Sequence, residues 1–348
     1  MRGVVFDGVG RVRVTDLPDP KVEAPDDAIV RVTRSAICGS DLHLLHGKAP
    51  MEPGEPLGHE AVGVVESVGA GIERVQVGDR VAVAFNVACG HCWFCGNGQS
   101  ALCDDDAIFG YGIFGGALPG AQAERLRVPN ADVNLIRIPD GVDDDAAVFV
   151  GDVLTTGFYG ASLAGADPKD VVAVLGCGPV GFCTIEGLRA LGAPTVYALD
   201  RERSRLALAE ATGAIPVHVD ERKAVTALAE ATDGRGADVV IDAVGHPSAF
   251  ESAIDTVRRG GTVVVLGVYS SETTELQLGA YWSRALTLRF AGLTPVLAWW
   301  ERATAALERG EVDPTPLISH RLPLEDAAEG YALFDRREAT KVVLEPWA

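Results

Sequence analysis

The sequence has few basic residues and no long apolar run. Lysine and arginine total 30 against 49 aspartates and glutamates, which gives a formal net charge of −19 at pH 7. A surface of this sign repels nucleic acids and anionic membranes, so we expect neither as a partner. The least charged long stretch, residues 171–185, contains three glycines and a proline, and its 15 residues are too few to span a bilayer.

The sequence also lacks an export signal and the cysteine pattern of a disulfide framework. The first residues, MRGVVFDGVGRVRV, contain neither the apolar segment nor the cleavage site of a secretory signal. The seven cysteines are an odd number, which in such a chain favours thiols and metal ligands over disulfides. We therefore expect a cytoplasmic protein.

Length and apolar content predict two folded domains. The chain has 348 residues, 47% of them hydrophobic, which is enough for two cores and too many for a disordered protein. Up to residue 150, alternating apolar runs bounded by turns indicate half-exposed strands; these runs are VVFDGVGRVRV, AIVRVTRSA, AVGVVESVG and DRVAVAF. After Asp152, unbroken β-branched runs alternate with helical patterns, which predicts a parallel sheet with right-handed crossovers.

A glycine-rich turn links the first of these buried runs, VVAVL, to a helical pattern. Its glycines, Gly176, Gly178 and Gly181, have the spacing GxGxxG. In this setting they allow a tight turn, a close approach of the backbone to a pyrophosphate, and contact between helix and strand. The helix start, at Pro179 and Val180, would present free N–H groups and a positive dipole to the phosphates. The alternative is a turn that only packs.

An acidic residue follows at the distance that a dinucleotide site requires. Asp200 ends the next predicted strand, 19 residues after Gly181. A carboxylate there can accept hydrogen bonds from both ribose hydroxyls and would repel a 2′-phosphate, which favours NAD over NADP. Arg201 and Arg205 follow it, and an arginine can accommodate a 2′-phosphate, so NADP stays the alternative.

Four cysteines lie within fifteen residues, at Cys89, Cys92, Cys95 and Cys103. Two-residue gaps let a chain wrap a zinc ion, and the longer return adds a fourth thiolate to complete a tetrahedron. Such a site is closed and therefore structural. The alternatives are a redox CxxC pair or buried free thiols. Cys177 and Cys183, at the glycine turn and its helix, are expected to be small packing residues.

A second set of metal-ligand types is dispersed along the chain. Cys38 lies in AICGSDLHLLHG, His59 in GHE, and Asp152 in GDVLTTG. Together they could supply sulfur, nitrogen and oxygen to zinc and leave a fourth position open, as a catalytic zinc requires. Their separation means that spacing alone does not establish the site. Ser40 and Asp41 could instead simply cap a helix opening at Leu42.

The sequence as a whole resembles the zinc-containing alcohol dehydrogenases of the medium-chain dehydrogenase/reductase superfamily. The resemblance covers essentially the whole chain and rests on CGSDLH, GHE followed by VGVVESVG, VGDRVAV, the four-cysteine loop, DVLTTG and GCGPVG. One departure is that Asp152 stands where the family usually has a second cysteine. Bacterial members with an aspartate there include secondary-alcohol and formaldehyde-type enzymes.

The resemblance implies roles for the dispersed residues. Cys38, His59 and Asp152 would hold a catalytic zinc, and Glu60 could also approach the metal. Ser40 would accept the proton of the alcohol, and His43 would pass it to solvent through the ribose of the cofactor.

Further residues would support this site. Asp41 would orient His59 through its other ring nitrogen. Thr156 would pack beside the nicotinamide, and Gly267 would contact the cofactor. Phe85 would line the substrate pocket, which the glycine-rich stretch 109–120 would shape.

The implied architecture is an α/β fold with two domains. A β-rich, GroES-like catalytic domain would comprise residues 1–152 and 290–348, and a doubly wound Rossmann domain with six parallel strands would comprise 153–289. The active site is expected in the cleft between them. Each chain would bind two zinc ions and NAD, and the protein would be a homodimer or homotetramer.

The implied function is hydride transfer between a primary or secondary alcohol and NAD, giving an aldehyde or ketone. A polyol or sugar-alcohol dehydrogenase of the same superfamily is one alternative. A non-catalytic redox sensor that binds NAD and zinc is another, since it would explain the glycine turn and the four cysteines equally well. A zinc-free quinone or enoyl reductase is disfavoured because those enzymes lack Cys38, His59 and the cysteine loop.

Overall fold

A computed structural model describes residues 1–112, 116, 118–193, 195–269 and 273–348. The chain divides into two compact units, one formed by Met1–Thr155 with Pro295–Ala348 and the other by Thr156–Thr294. The domain limits inferred from the sequence stay a prediction. Across the described residues, every helix is too short or too polar to cross a membrane.

Seventeen strands are formed by the described residues. They are β1 Arg2–Phe6, β2 Val12–Asp16, β3 Ala28–Ile37, β4 Glu60–Val68, β5 Arg80–Val83, β6 Asn86–Val87, β7 Ala107–Ile108, β8 Arg125–Val128, β9 Leu135–Arg137, β10 Val171–Leu175, β11 Thr195–Asp200, β12 Ile215–His218, β13 Ala237–Asp242, β14 Val257–Val265, β15 Thr287–Phe290, β16 Ile318–Pro323 and β17 Lys341–Glu345.

Twelve α-helices are formed by the same described residues. They are α1 Asp41–Leu45, α2 Trp93–Gly96, α3 Ala131–Asn134, α4 Asp144–Ala147, α5 Val153–Ala164, α6 Pro179–Ala190, α7 Arg203–Ala211, α8 Ala224–Ala231, α9 Pro247–Thr256, α10 Leu278–Ser283, α11 Val296–Glu308 and α12 Ala327–Asp335.

The larger unit is built on a seven-stranded sheet with the order β16-β17-β3-β4-β5-β9, in which β8 also pairs with β3. Its pairs are antiparallel apart from β16 and β17. The long central strands β3 and β4 pair so that Ala36 lies opposite Glu60. This register brings the residues that follow β3 close to those that precede β4.

The smaller unit contains a six-stranded parallel sheet with the order β12-β11-β10-β13-β14-β15. Strand β13 is buried along its whole length, as expected where helices cover both faces of a sheet. The chain begins at β10, proceeds to one edge, and returns to β13 on the other side. The crevice at the carboxyl ends of β10 and β13 is therefore where a doubly wound sheet binds its ligand.

The predicted α/β fold class, a β-rich region followed by a parallel sheet, is confirmed. Strands β12 and β15 and helices α8 and α12 were not individually evident from the sequence. The two strands have only four residues each, IPVH and TLRF, and contain no long β-branched run. Tertiary pairing with neighbouring strands decides their structure.

Candidate metal and cofactor sites

Cys38, His59, Glu60 and Asp152 meet in the larger unit. One ligand atom from each lies within 4.8 Å of those of the others. Cys38 directly follows β3, His59 directly precedes β4, and Asp152 directly precedes α5. The antiparallel pairing of β3 with β4 therefore brings together residues that are 21 positions apart, and the chain leading into α5 adds the carboxylate.

The short distances involve the sulfur, nitrogen and oxygen atoms predicted as ligands. Asp152 Oδ2 lies 3.8 Å from Cys38 Sγ and 3.4 Å from His59 Nε2. The hydroxyl of Ser40 lies 3.2 Å from the same His59 nitrogen. Although Ser40 is the N-cap residue of α1, its side chain does not cap the helix within the described structure. The capping alternative therefore does not account for this serine.

Asp41 contacts the other side of the histidine. Its Oδ1 lies 3.3 Å from His59 Nδ1, and its Oδ2 accepts a 2.9 Å hydrogen bond from the backbone N–H of Cys38. A carboxylate at Nδ1 favours the tautomer that donates from Nδ1 and leaves Nε2 free for a metal. This is the geometry that the predicted orienting role of Asp41 requires.

Glu60 has a buried partner that sequence reasoning did not identify. Lys341 Nζ donates to Glu60 Oε1 at 2.6 Å, and both side chains are fully buried. The same ammonium lies 5.7 Å from the centroid of the Phe149 ring. The only sequence signal was a lysine opening the apolar run KVVLE, which is equally common at an ordinary strand end.

The electrostatics of the cluster suit a bound cation. Burial and the charge of Glu60 raise the pKa of Cys38. Burial likewise raises the pKa of Glu60, although Lys341 opposes it. Burial disfavours the imidazolium of His59, but the carboxylates of Asp41 and Asp152 outweigh it and raise its pKa. A divalent cation would stabilise the thiolate, the neutral imidazole and the carboxylates together, so the side chains present fit zinc.

The four cysteines of the 89–103 loop converge on a second point. Their sulfur atoms all lie within 4.8 Å of one another, and Cys92 Sγ is 3.9 Å from Cys103 Sγ. None of these described cysteines forms a disulfide. The donor set is four thiols, which suits a closed tetrahedral zinc.

Backbone N–H groups surround these sulfurs. Cys89 N–H donates to Cys103 Sγ at 3.2 Å, and Cys92 N–H donates to Cys89 Sγ at 3.3 Å. Backbone donation, led by the N–H of Cys95, lowers the pKa of Cys92 to about 6. Such donors stabilise thiolates, the form that binds metal. His91 lies exposed on the loop and its Nδ1 is 3.0 Å from the Cys89 carbonyl oxygen.

The glycine turn of the smaller unit has the conformation that its sequence predicts. Gly176 has φ +86°, and a Cβ on Gly181 would lie 1.8 Å from the Gly176 carbonyl oxygen. Gly178 is the N-cap of α6, with Pro179 in the first turn, and no described side chain caps this end. Its N–H groups therefore remain available for an anionic group, and the missing Cβ of Gly178 leaves room for close approach.

Asp200 ends β11 beside this turn. Its Oδ2 accepts the N–H of Cys177 at 2.6 Å, and its Oδ1 accepts the N–H of Glu202 at 2.9 Å. Arg205 also approaches the turn, since a Cβ on Gly178 would lie 3.7 Å from its guanidinium, whereas Arg201 is exposed.

Thr156 and Gly267 lie in the same unit. The Thr156 hydroxyl is 2.9 Å from that of Thr294. A Cβ on Gly267 would lie 2.2 Å from the Gly245 nitrogen, so this position accepts only glycine without rearrangement. Their predicted contacts with the cofactor stay predictions.

The remaining predicted residues are near the open cluster or on the surface. The ring centroid of Phe85 lies 6.2 Å from that of His59, and His43 is half-buried on α1. In the glycine-rich stretch 109–120, residues 113–115 and 117 lie outside the described structure. Tyr111, which was not predicted, donates to the Ser40 carbonyl oxygen at 3.2 Å, and burial raises its pKa to about 12.

Two family models match the sequence. One, described as the alcohol dehydrogenase GroES-like domain, covers residues 24–140, and the other, described as zinc-binding dehydrogenase, covers 179–306. The uncharacterised zinc-type alcohol dehydrogenase-like protein AdhB of Bacillus subtilis (strain 168) is 39% identical over 99% of this chain and 100% of its own length.

Solved structures show the same similarity. The alcohol dehydrogenase TADH from Thermus sp. ATN1 is 43% identical, with a TM-score of 0.94 over 99% of each chain. A zinc-binding dehydrogenase from Sinorhizobium meliloti 1021 bound to NADP is 30% identical, with a TM-score of 0.86 over 99% of each chain.

Proposed function

Because this chain belongs to the zinc-containing alcohol dehydrogenase family of the medium-chain dehydrogenase/reductase superfamily, we propose that it transfers hydride between an alcohol and NAD. The products would be an aldehyde or ketone and NADH, and the same site would catalyse the reverse reduction. The observation that carries the proposal is the convergence of Cys38, His59 and Asp152 beside the hydroxyl of Ser40.

In the proposed site, Cys38, His59 and Asp152 bind a catalytic zinc, and Glu60 is a further oxygen donor held by Lys341. When bound, the zinc supplies a Lewis acid that lowers the pKa of an alcohol or polarises a carbonyl. Three protein ligands leave a coordination position for substrate.

Ser40 and His43 are the proposed proton-transfer residues. The Ser40 hydroxyl lies at the ring nitrogen of His59 that faces the cluster, so it is within reach of a hydroxyl group bound there. It accepts the proton of the alcohol and returns its own proton toward solvent. His43, two residues along the chain from Asp41, continues this path from its half-buried position.

NAD is the proposed cofactor. The carboxylate of Asp200 lies next to the glycine turn, where a 2′-phosphate would meet its negative charge. Arg205 lies nearer the turn than Arg201 does, and the similarity to an NADP-bound structure keeps NADP as the alternative. Steady-state kcat/KM with each cofactor decides between them, and the proposal requires the ratio to favour NAD.

A second copy of the chain is the proposed partner. Strand β15 lies at an edge of the parallel sheet, and the side chains of Leu278, Trp282 and Phe290 around it are 69%, 85% and 67% exposed. Exposed edges with apolar side chains tend to pair with another chain, and a twofold axis allows such an edge to pair with itself. Sedimentation of Phe290→Arg against the unchanged protein tests this assignment.

The decisive experiment measures zinc per chain together with NADH production from primary, secondary and polyol alcohols. The variants are Cys38→Ala with His59→Ala, and His46→Ala as the matched control. His46 comes from the same stretch of sequence but is exposed, and it lies 2.9 Å from Asp335. We expect about two zinc ions in the wild type and the control, and about one with no turnover in the double variant.

The outcomes separate the alternatives. One zinc in every protein would show that Cys38 and His59 do not bind metal. Two zincs and NAD binding without turnover on any substrate would favour the redox sensor. Turnover confined to polyols would favour the polyol dehydrogenase.

A further inference from the structure

Two buried polar side chains lie behind the open cluster and take no part in the proposed chemistry. Gln122 is 1% exposed and Tyr331, on α12, is 2% exposed. Neither was identified from the sequence, and their positions are more than 200 residues apart. Burying an amide and a phenol is unfavourable unless each finds hydrogen-bonding partners.

These side chains form a continuous chain of hydrogen bonds that ends at the proposed metal ligand. The Tyr331 hydroxyl donates to Gln122 Oε1 at 2.9 Å. The Gln122 amide nitrogen donates to Asp41 Oδ2 at 3.3 Å and to the Ala36 carbonyl oxygen at 3.2 Å. Asp41 Oδ1 in turn lies 3.3 Å from His59 Nδ1.

The donors and acceptors can be arranged in only one favourable direction. If the Gln122 amide were reversed, its oxygen would face Asp41 Oδ2 and the Ala36 carbonyl oxygen, and three acceptors would meet. Burial also raises the pKa of Tyr331 well above its usual value, so the phenol keeps the proton that it donates. The network therefore directs N–H groups toward the Asp41 carboxylate, whose buried charge needs them.

Backbone packing holds Gln122 against the turn that precedes His59. Gly58 has φ +92°, and a Cβ there would lie 2.3 Å from Gln122 Cγ. The Gln122 N–H also donates to the Leu57 carbonyl oxygen at 3.0 Å. Only a glycine before His59 lets the glutamine side chain lie this close, so the amide is held on both sides.

We propose that Gln122 and Tyr331 are positioning residues for the open metal site, acting through Asp41 to hold His59 with Nδ1 as donor and Nε2 toward the metal. This inference rests on the proposed function, since it assumes zinc at Cys38, His59 and Asp152. Outer partners of a histidine ligand fix its tautomer and ring orientation, and losing them weakens metal binding by about 10- to 100-fold.

The test compares zinc release to a chromogenic chelator from the wild type, Gln122→Met, Tyr331→Phe and the double variant. Methionine keeps the length of glutamine and removes its donors, and phenylalanine removes a single oxygen atom. We expect the open-site zinc to leave about 10-fold faster in Gln122→Met and less so in Tyr331→Phe. Because both residues act through one network, the double variant should match Gln122→Met. The four-cysteine zinc should leave at the wild-type rate.

Phe334→Leu is the control, because Phe334 lies on the same helix and in the same apolar cluster as Tyr331. It loosens packing without touching the hydrogen bonds. Equal acceleration in this control, or wild-type rates in both network variants, would overturn the inference. A wild type that holds no zinc at Cys38 and His59 would instead overturn the proposed function.

Cobalt substitution gives a second readout that does not depend on activity. Cobalt loaded into the open site reports ligand geometry through its visible absorption. The spectrum should change in Gln122→Met and stay unchanged in Phe334→Leu. An unchanged spectrum in Gln122→Met would contradict a positioning role.

Discussion

The two candidate metal clusters differ in how the chain builds them. The four cysteines come from a single loop of fifteen residues, whereas the open cluster joins Cys38 to Asp152, which are 114 positions apart. In both, the ligand atoms lie within 4.8 Å of one another. One cluster thus depends on local chain geometry and the other on the pairing of long strands.

The clusters also differ in their surroundings. The cysteine sulfurs are bonded mainly by neighbouring backbone N–H groups. The open cluster is surrounded by buried side chains from distant segments, including Asp41, Lys341 and Gln122. A closed set of thiolates needs no outside support, while an open set needs fixed partners to keep a vacant coordination position.

The largest expected effect is from Cys103→Ser. Because the loop supplies every ligand of its own site, losing one thiolate should speed zinc release more than 10³-fold, above about 4 kcal/mol. Limited proteolysis should then cut within residues 89–103 while the rest of the chain resists. Cys183→Ser, a buried cysteine of the smaller unit, is the control. Global unfolding of Cys103→Ser with loss of both zincs would show that the clusters are not independent.

Lys341→Met tests the buried ion pair of the open cluster. Removing one partner leaves the Glu60 carboxylate buried and uncompensated, which should lower the free energy of unfolding by about 3–5 kcal/mol in urea titrations. Adding Glu60→Gln should restore part of this loss, and Lys341→Arg should keep most of the stability. Equal losses in the single and double variants would mean that the pair is not energetically coupled.

Asp152→Asn should weaken the open site without affecting the closed one. An amide keeps the shape but loses the charge that binds a divalent cation, so zinc affinity should fall about 100-fold, or about 2.7 kcal/mol. Competition with a chelator of known affinity measures this. Asp335→Asn, on an exposed aspartate, should leave both affinities unchanged, and an unaltered affinity in Asp152→Asn would remove it from the ligand set.

The smallest effect is expected from His91→Ala. This histidine is exposed, and its ring contacts only the Cys89 carbonyl oxygen among the described hydrogen bonds. Stability should change by less than about 0.5 kcal/mol, and zinc release from the cysteine loop should stay within about twofold. A large acceleration would show that the loop is not closed by cysteines alone.

Much of the fold and part of the site could be predicted because the responsible signals are local. The glycine turn before α6 and Asp200 at the end of β11 lie where the sequence indicated. Strands β12 and β15 could not be identified in this way, because four-residue segments acquire their structure from pairing with neighbours. Lys341, Gln122 and Tyr331 carried no signal, since buried polar residues resemble surface ones until their partners are known.

The sequence by itself determined the features that short-range spacing encodes: the cysteine loop, the phosphate-binding turn and the alternation of strands with helices. Their geometry follows from backbone conformation within one or two elements. Tertiary structure alone decided which distant residues surround Cys38, because the register of β3 with β4 and the positions of Gln122, Tyr331 and Lys341 depend on the packed sheet. Burial then turned ordinary polar side chains into partners of the open cluster.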